Sequence, residues 1–427
     1  MYKGSNNKYV TKNQRKALLL SSLGGMLEFY DFIIYALLAS YISKLFFPIQ
    51  SAITSLLIAF SAYAVGYLAR PFGGIIFGHF GDKYGRKKTF TISILIMALS
   101  TFLIGILPTY SSIGIMAPIL LVLCRIAQGI SVGGEIPGTI TYVGEAVPEK
   151  RGFMTAVIFG FLILGVTIGF IVESLLLEFF TSQSMLTYGW RIPFILGGLF
   201  VLVAYYLRRQ LIDIKEFNPF VNEEFSLPIT KILLTHRWNL IYSTIIVSFG
   251  ALCFVTLFLL LPAYFSTILN LHLDNFTWIN SLGVIIISIL CVAVGLFADK
   301  VSRNLILLIS IVATCAFSFV IYTTYTSHQN FYFIAIVLSA ILVALCWGNI
   351  PAMLIDLFKQ DVRYTGIGLA YNLGFAVFGG LTPMIVISAI KFSNNNLAPA
   401  YILTIGAIIT LIAMIINKLI QSKVSSK

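Results

Sequence analysis

Twelve apolar stretches, separated by short polar loops, take up most of this chain. They run over 17–40, 52–78, 89–108, 114–144, 153–178, 190–208, 239–265, 276–298, 304–324, 331–357, 364–389 and 398–418. A helix rises about 1.5 Å per residue, so about 20 residues cross a hydrocarbon core of about 30 Å. Inside lipid every backbone N–H and C=O needs a partner within the protein, which for single apolar runs means α-helix. Only 10% of residues are charged, against about 25% in soluble domains. Mean hydropathy is +0.95. The fold class is therefore an all-α membrane protein with twelve transmembrane helices.

The net charge of +12 raises the question of nucleic acid, and the placement of the charges answers it. Of 28 Lys and Arg, 23 fall in the two termini and the even-numbered loops, and three (Lys44, Arg191, Lys391) fall on the other side. Arg70 and Arg125 lie within apolar runs. Such asymmetry puts both termini in the cytoplasm and explains the charge without nucleic acid. The first sixteen residues are polar, unlike a cleavable leader. Trp190, Trp238 and Trp278 fall at run ends and read as interface anchors, whereas Trp347 sits inside the tenth run. The five cysteines all lie in apolar runs without CxxC spacing, so neither a disulfide framework nor a metal site is expected.

One loop occurs twice. Gly78-His79-Phe80-Gly81-Asp82-Lys83-Tyr84-Gly85-Arg86 follows the second run, and Gly295-Leu296-Phe297-Ala298-Asp299-Lys300-Val301-Ser302-Arg303 follows the eighth, with Asp82 and Asp299 217 residues apart. A second pair of landmarks keeps nearly the same offset: Glu145 and Arg151-Gly152 after the fourth run, Asp356 and Arg363 after the tenth. The chain thus divides into a tail (1–16), a six-helix bundle (17–208), a cytoplasmic linker (209–238), a second six-helix bundle (239–418) and a C-terminal tail (419–427). Duplicated bundles that rock about a central site move solutes across membranes. The repeated loops suit a cytoplasmic gate made of Gly78, Asp82, Gly85, Arg86, Asp299, Arg303, Glu145 and Arg151. In it Asp82 accepts hydrogen bonds from Arg86 or from a neighbouring helix N-terminus. A loop that merely sets topology accounts for Lys87 and Lys88 but not for Asp82 or the glycines.

At this point the chain resembles a known family. Gly25-Met26-Leu27-Glu28-Phe29-Tyr30-Asp31-Phe32 in the first run, the Gly78–Arg86 loop, RIAQGISVGGEIPGTITYVGEAVPEKRG (125–152), GWRIPF (189–194) and RYTGIGLAYNLGFAVFGGLTP (363–383) occur in order. Together they resemble the major facilitator superfamily, and within it the metabolite–proton symporters, proline/betaine transporters included. Two departures stand out: Ser302 replaces the glycine of the first loop, and the C-terminal tail is too short for the coiled coil of osmosensing relatives. The resemblance implies two pseudo-symmetric bundles, a monomer, a bacterial inner-membrane location, a small-molecule substrate, proton coupling, and no cofactor.

Ionisable groups within a bilayer are costly and mark function. Counting 1.5 Å per residue puts Glu28 about 16 Å and Asp31 about 21 Å from the cytoplasmic start of the first run, and Arg125 about 15 Å from the external start of the fourth. The three are expected to meet near mid-bilayer, where a proton can be taken and released. The alternative is a static Arg–acid pair fastening two helices. Glu135, seven residues past Gln128, is a further proton-transfer candidate, or else a structural partner of Arg70; Asp82 is another such partner. Glu173, near an external end, is expected to reach water. Tyr35, Gln128, Asn349, Tyr371 and Asn372 are candidate cavity residues, with helix–helix bonding the competing role for the two asparagines. Phe29, Tyr30 and Tyr35 offer a cation–π wall.

Gly129-Ile130-Ser131-Val132-Gly133 matches a hydrolase pattern, but it lies within an apolar run and the four histidines are in or beside loops. No nucleotide-binding signature is present. The chain reads as no enzyme. It reads as a proton-coupled symporter of a small zwitterion such as proline or betaine. A mono- or dicarboxylate (2-oxoglutarate- or shikimate-like) is the alternative substrate class, and a transport-inactive sensor or scaffold the alternative function.

Overall fold

The computed structural model describes residues 12–84, 86–133, 135–211, 228–271, 275–327, 331–360 and 362–425. Among them every regular element is a helix. The main ones are α1 (Lys12–Leu37), α2 (Ala52–Tyr84), α3 (Arg86–Ile106), α4 (Met116–Val132), α5 (Glu135–Ala146), α6 (Arg151–Phe179) and α7 (Ile192–Leu211). They continue with α8 (Arg237–Phe254), α9 (Phe276–Ala298), α10 (Arg303–Ser327), α11 (Tyr332–Trp347), α12 (Ile350–Leu357), α13 (Arg363–Gly374), α14 (Leu381–Ser393) and α15 (Ala398–Ser425). Nine helical stretches among the described residues are long and apolar enough to cross a membrane. A tenth arises where α1 bends by 59° into the short helix Ala39–Phe46. Of the expected linker, residues 212–227 lie outside the described residues, and a helix occupies Pro228–Thr235.

Proline shapes the runs that depart from simple helices. After α8 the chain winds into wider π turns over Val255–Leu259 and Tyr264–Ile268, flanking Pro262. Between α13 and α14 a π turn covers Phe375–Gly380, just ahead of Pro383. Proline has no N–H for the ladder and crowds the preceding turn, and a wider turn accommodates it.

The two most extensive contacts between the N- and C-terminal halves are α6 against α9, and α2 against the Phe375–Gly380 turn and α14. Exchanging the halves by a two-fold converts one contact into the other, since it swaps the second run with the eighth and the fifth with the eleventh. The α6–α9 crossing is close because both helices present glycine. A Cβ on Gly152 would sit 2.6 Å from the Gly295 carbonyl oxygen. Within the N-terminal half, α2 and α4 cross in the same way, backbone to backbone at Gly66 and Gly129.

Two side chains expected at the membrane boundary are instead internal. Trp190 is fully buried, its ring edge-on to Phe46 at 5.4 Å and under the Arg191 guanidinium at 4.5 Å. The bend after α1 is what carries Phe46 over it. Glu173 is 2% exposed, inside the bundle rather than reaching water. Trp278 and Trp238 do lie near helix ends, and donate to Glu178 and Asn417 respectively, each at 3.2 Å.

Candidate functional site: a charged aromatic centre and an ionic latch

The centre is built by α1, α2 and α4. Phe32 of α1 projects between two guanidiniums, with Arg70 of α2 at 4.1 Å and Arg125 of α4 at 4.4 Å from its ring centre. Arg70 also lies over Tyr67 at 4.2 Å, and Arg125 over Tyr35 at 4.7 Å and Tyr63 at 5.2 Å. Both arginines are at most 1% exposed. Ring faces stabilise a desolvated cation by about 2 kcal/mol, less than the several kcal/mol of removing it from water. Arg125 gains one hydrogen bond from its Nη1 to Gln128 Oε1 (2.8 Å), and Gln128 in turn donates to Thr101 (2.7 Å). Arg125 Nε and Nη2 and Arg70 Nε and Nη1 have no hydrogen-bond partner.

Asp31 sits apart from these cations. It is fully buried, neither carboxylate oxygen has a hydrogen-bond partner, and it fills the space left by Gly197 of α7 beside Thr101. Among the described residues no ion pair joins Arg125 to an acid. Glu28, one turn before Asp31 and 8% exposed, lies within electrostatic range of both Asp31 and Tyr371.

Tyr371 brings the C-terminal half to this centre. It is buried, its hydroxyl has no hydrogen-bond partner, and its ring contacts Phe375 at 4.7 Å and Phe159 at 6.3 Å. Trp347 is stacked between Phe159 (5.0 Å) and Phe375 (5.2 Å). Asn372 bonds across the halves to the Gly133 carbonyl at 2.6 Å. Asn349 is elsewhere: it sits in the break between α11 and α12 and donates to the Arg303 carbonyl at 2.9 Å. Tyr35 holds the Ala59 carbonyl at 3.0 Å, and Tyr30 turns toward α7, donating to Pro193 O at 2.9 Å. The side chains of Asp82, Arg86 and Glu135, and the whole of Gly85, lie outside the described residues, while Gly78 falls within α2.

On the basic face the second loop copy forms a latch. Asp299 at the end of α9 accepts from the Gly152 N–H at 2.7 Å and the Phe153 N–H at 2.9 Å. These are orphan donors at the start of α6, where the helix dipole favours an anion. Arg303 pairs with Asp299 at 3.5 Å and also with Asp356. Arg151 pairs with Asp356 at 3.3 Å, and Arg363 with Glu145 at 2.6 Å. A polar pocket lined by Tyr242, Asp299, Arg303, Asp356, Asn417 and Gln421 abuts the latch.

Residues 21–383 match the family model of the Major Facilitator Superfamily. The chain belongs to the Major Facilitator Superfamily. Members of the superfamily are membrane transporters, so this multi-span membrane protein is a transporter and not an enzyme. It is 32% identical to the proline/betaine transporter of Escherichia coli (strain K12) over 419 residues, which covers 95% of this chain and 83% of that one. It is likewise 32% identical to the proline/betaine transporter of Salmonella typhimurium (strain LT2), with the same coverage. Its fold matches the crystal structure of a D-xylose–proton symporter with a TM-score of 0.68 at 16% identity, covering 93% of this chain and 97% of that one. An inward-open structure of the Escherichia coli xylose transporter XylE gives a TM-score of 0.70 at 15% identity, with 92% and 95% covered.

Sequence reasoning did not assign Phe32, Thr101, Tyr63, Tyr67, Gly197 or Trp347 to the centre. Their residue types are common in membrane helices, and only packing marks them out. Asp356 and Arg363 were visible as repeat landmarks, but nothing in their order revealed that they cross to Arg151 and Glu145.

Proposed function

We propose that this transporter is a proton-coupled symporter that imports a small zwitterion of the proline or betaine class by alternating access. The observation that carries the reading is charge kept apart: Asp31 and the two guanidiniums are all buried, yet they are not paired with one another. A scaffold gains stability by pairing or losing such groups. A carrier keeps them available, the acid for a proton and the cations for substrate. Glu28 and Asp31 exchange the proton, Arg125 and Gln128 position the anionic end, and Tyr35 and Tyr371 wall the site. The names of the relatives favour the zwitterion.

Alternating access needs a closed state on each side. The Asp299, Arg303, Glu145 and Arg151 contacts supply one on the basic face, read as cytoplasmic. The first loop copy, with Gly78, Asp82, Gly85 and Arg86, serves the equivalent part of the gate. The decisive experiment is uptake of radiolabelled proline or glycine betaine into proteoliposomes under an imposed pH gradient. Accumulation abolished by a protonophore is expected, and gradient-independent equilibration would exclude coupling. A mono- or dicarboxylate is the second reading, favoured by guanidinium N–H groups that lack acceptors.

A further inference from the structure

We infer that Arg70, which sequence reasoning leaves as half of a structural pair, is a binding residue: with Arg125 and the Tyr371 hydroxyl it takes a carboxylate of the carried ligand. The inference rests on the transport reading above but is common to both of its substrate classes. Four guanidinium nitrogens, Nε and Nη1 of Arg70 and Nε and Nη2 of Arg125, and the Tyr371 hydroxyl are buried without hydrogen-bond partners. Buried charged donors are normally satisfied. The rings attract the cations through their faces but offer the N–H groups no lone pair to accept a hydrogen bond. All five atoms belong to donors, and the acceptor they share in chemistry is a carboxylate.

The placement gives this a mechanical meaning. Arg70 and Arg125 belong to the N-terminal half and converge on one ring, Phe32. Tyr371 belongs to the C-terminal half and lies within electrostatic range of Arg70. Phe375, next to Tyr371, also faces the Arg70 guanidinium at 5.7 Å. A carboxylate held by both arginines and the tyrosine joins the two halves through the ligand itself. Binding and closure about the site then become one event, and a ligand lacking the carboxylate drives neither.

Equilibrium binding to the purified full-length protein tests this with matched probes: L-proline and L-prolinamide, glycine betaine and choline, 2-oxoglutarate and its dimethyl ester. Within a pair that binds, the carboxylate member is expected to bind wild-type protein at least tenfold tighter. Arg70→Gln should erase that advantage, and Arg70→Lys should keep part of it, since lysine retains the charge but not the planar fork. Equal binding of both members by wild-type protein overturns the assignment without reference to any variant. So does an Arg70→Gln protein that keeps the full preference, or silence from all six probes. Loss of gradient-driven uptake with the preference intact counts instead against proton coupling and leaves the anion site standing.

Discussion

Arg151, at the start of α6, and Asp356, at the end of α12, join the two halves of the transporter through an ion pair 3.3 Å long. Its counterpart, Arg363 to Glu145 at 2.6 Å, runs the opposite way. The residues of each landmark pair, Glu145 with Arg151 and Asp356 with Arg363, thus exchange partners across the interface. These two pairs have the form that duplication gives, with each half contributing one cation and one anion to them.

These pairs are partly exposed, so each contributes up to about 1 kcal/mol. Asp356→Asn should therefore shift the balance about fivefold toward the state open on the basic face. A single cysteine replacing Thr155, fully buried one turn inside this face, in a cysteine-free background should label faster with a polar maleimide. Transport should slow while ligand affinity stays within threefold. Arg363→Glu with Glu145→Arg should recover most of the rate; a swap no better than Glu145→Arg alone would show that the pair is not what closes this face.

Asp299 makes a stronger contact than the ion pairs, because it caps two helix N–H groups belonging to the other half. Replacing such a cap costs about 1–2 kcal/mol. Asp299→Ala should lower the melting temperature of the purified protein by a few degrees and reduce turnover more than binding. Asp82→Asn in the first loop copy should likewise cut turnover more than affinity. Normal transport rates in both variants would remove the repeated loops from the gate.

Gly295 has no room for a side chain, since its neighbours are the Gly152 carbonyl and the Ala156 methyl. Gly295→Val should hold α6 and α9 apart and block closure of the basic face. The variant should bind ligand and fail to transport, measured by binding and uptake on the same preparation. Uptake at the wild-type rate would mean that this crossing opens and closes without approaching so closely.

Asp31 has the clearest proton role to test. Asp31→Asn keeps the shape of the niche beside Gly197 and removes the exchangeable proton. It should reach the membrane, lose accumulation driven by a pH gradient, and retain exchange of labelled for unlabelled substrate. Glu28→Gln should weaken gradient-driven uptake as well. If both variants accumulate substrate as the wild type does, neither acid couples the proton.

Much of the fold was legible because lipid leaves few options: long apolar runs must be helices, and the repeated Asp82 and Asp299 loops pointed to duplicated halves. The latch was half legible. Asp299 and Arg151 stood out by their offsets, yet only the folded chain shows the aspartate on the N-terminus of α6. The centre was least legible. Glu28, Asp31 and Arg125 are near one depth by residue count, but depth says nothing of azimuth, and Asp31 turns to α7 while Arg125 faces Phe32. For Asn349 the sequence left a cavity role and a helix–helix bond both open, and the break between α11 and α12 hands its amide to the Arg303 carbonyl. Trp190 carries the residue type of an anchor and sits at a run's end, and only the bend ahead of Ala39–Phe46 buries it.

Where Gly152 meets Gly295, main chain rests on main chain and nothing compressible is left between them. Under the proposed alternating access, closure on that face ends at a hard stop. The halves arrive at one defined position rather than sliding through a range. The charges around the crossing need only decide how long they dwell there, which leaves dwell time open to tuning by surface mutation while the geometry of the closed state stays the same.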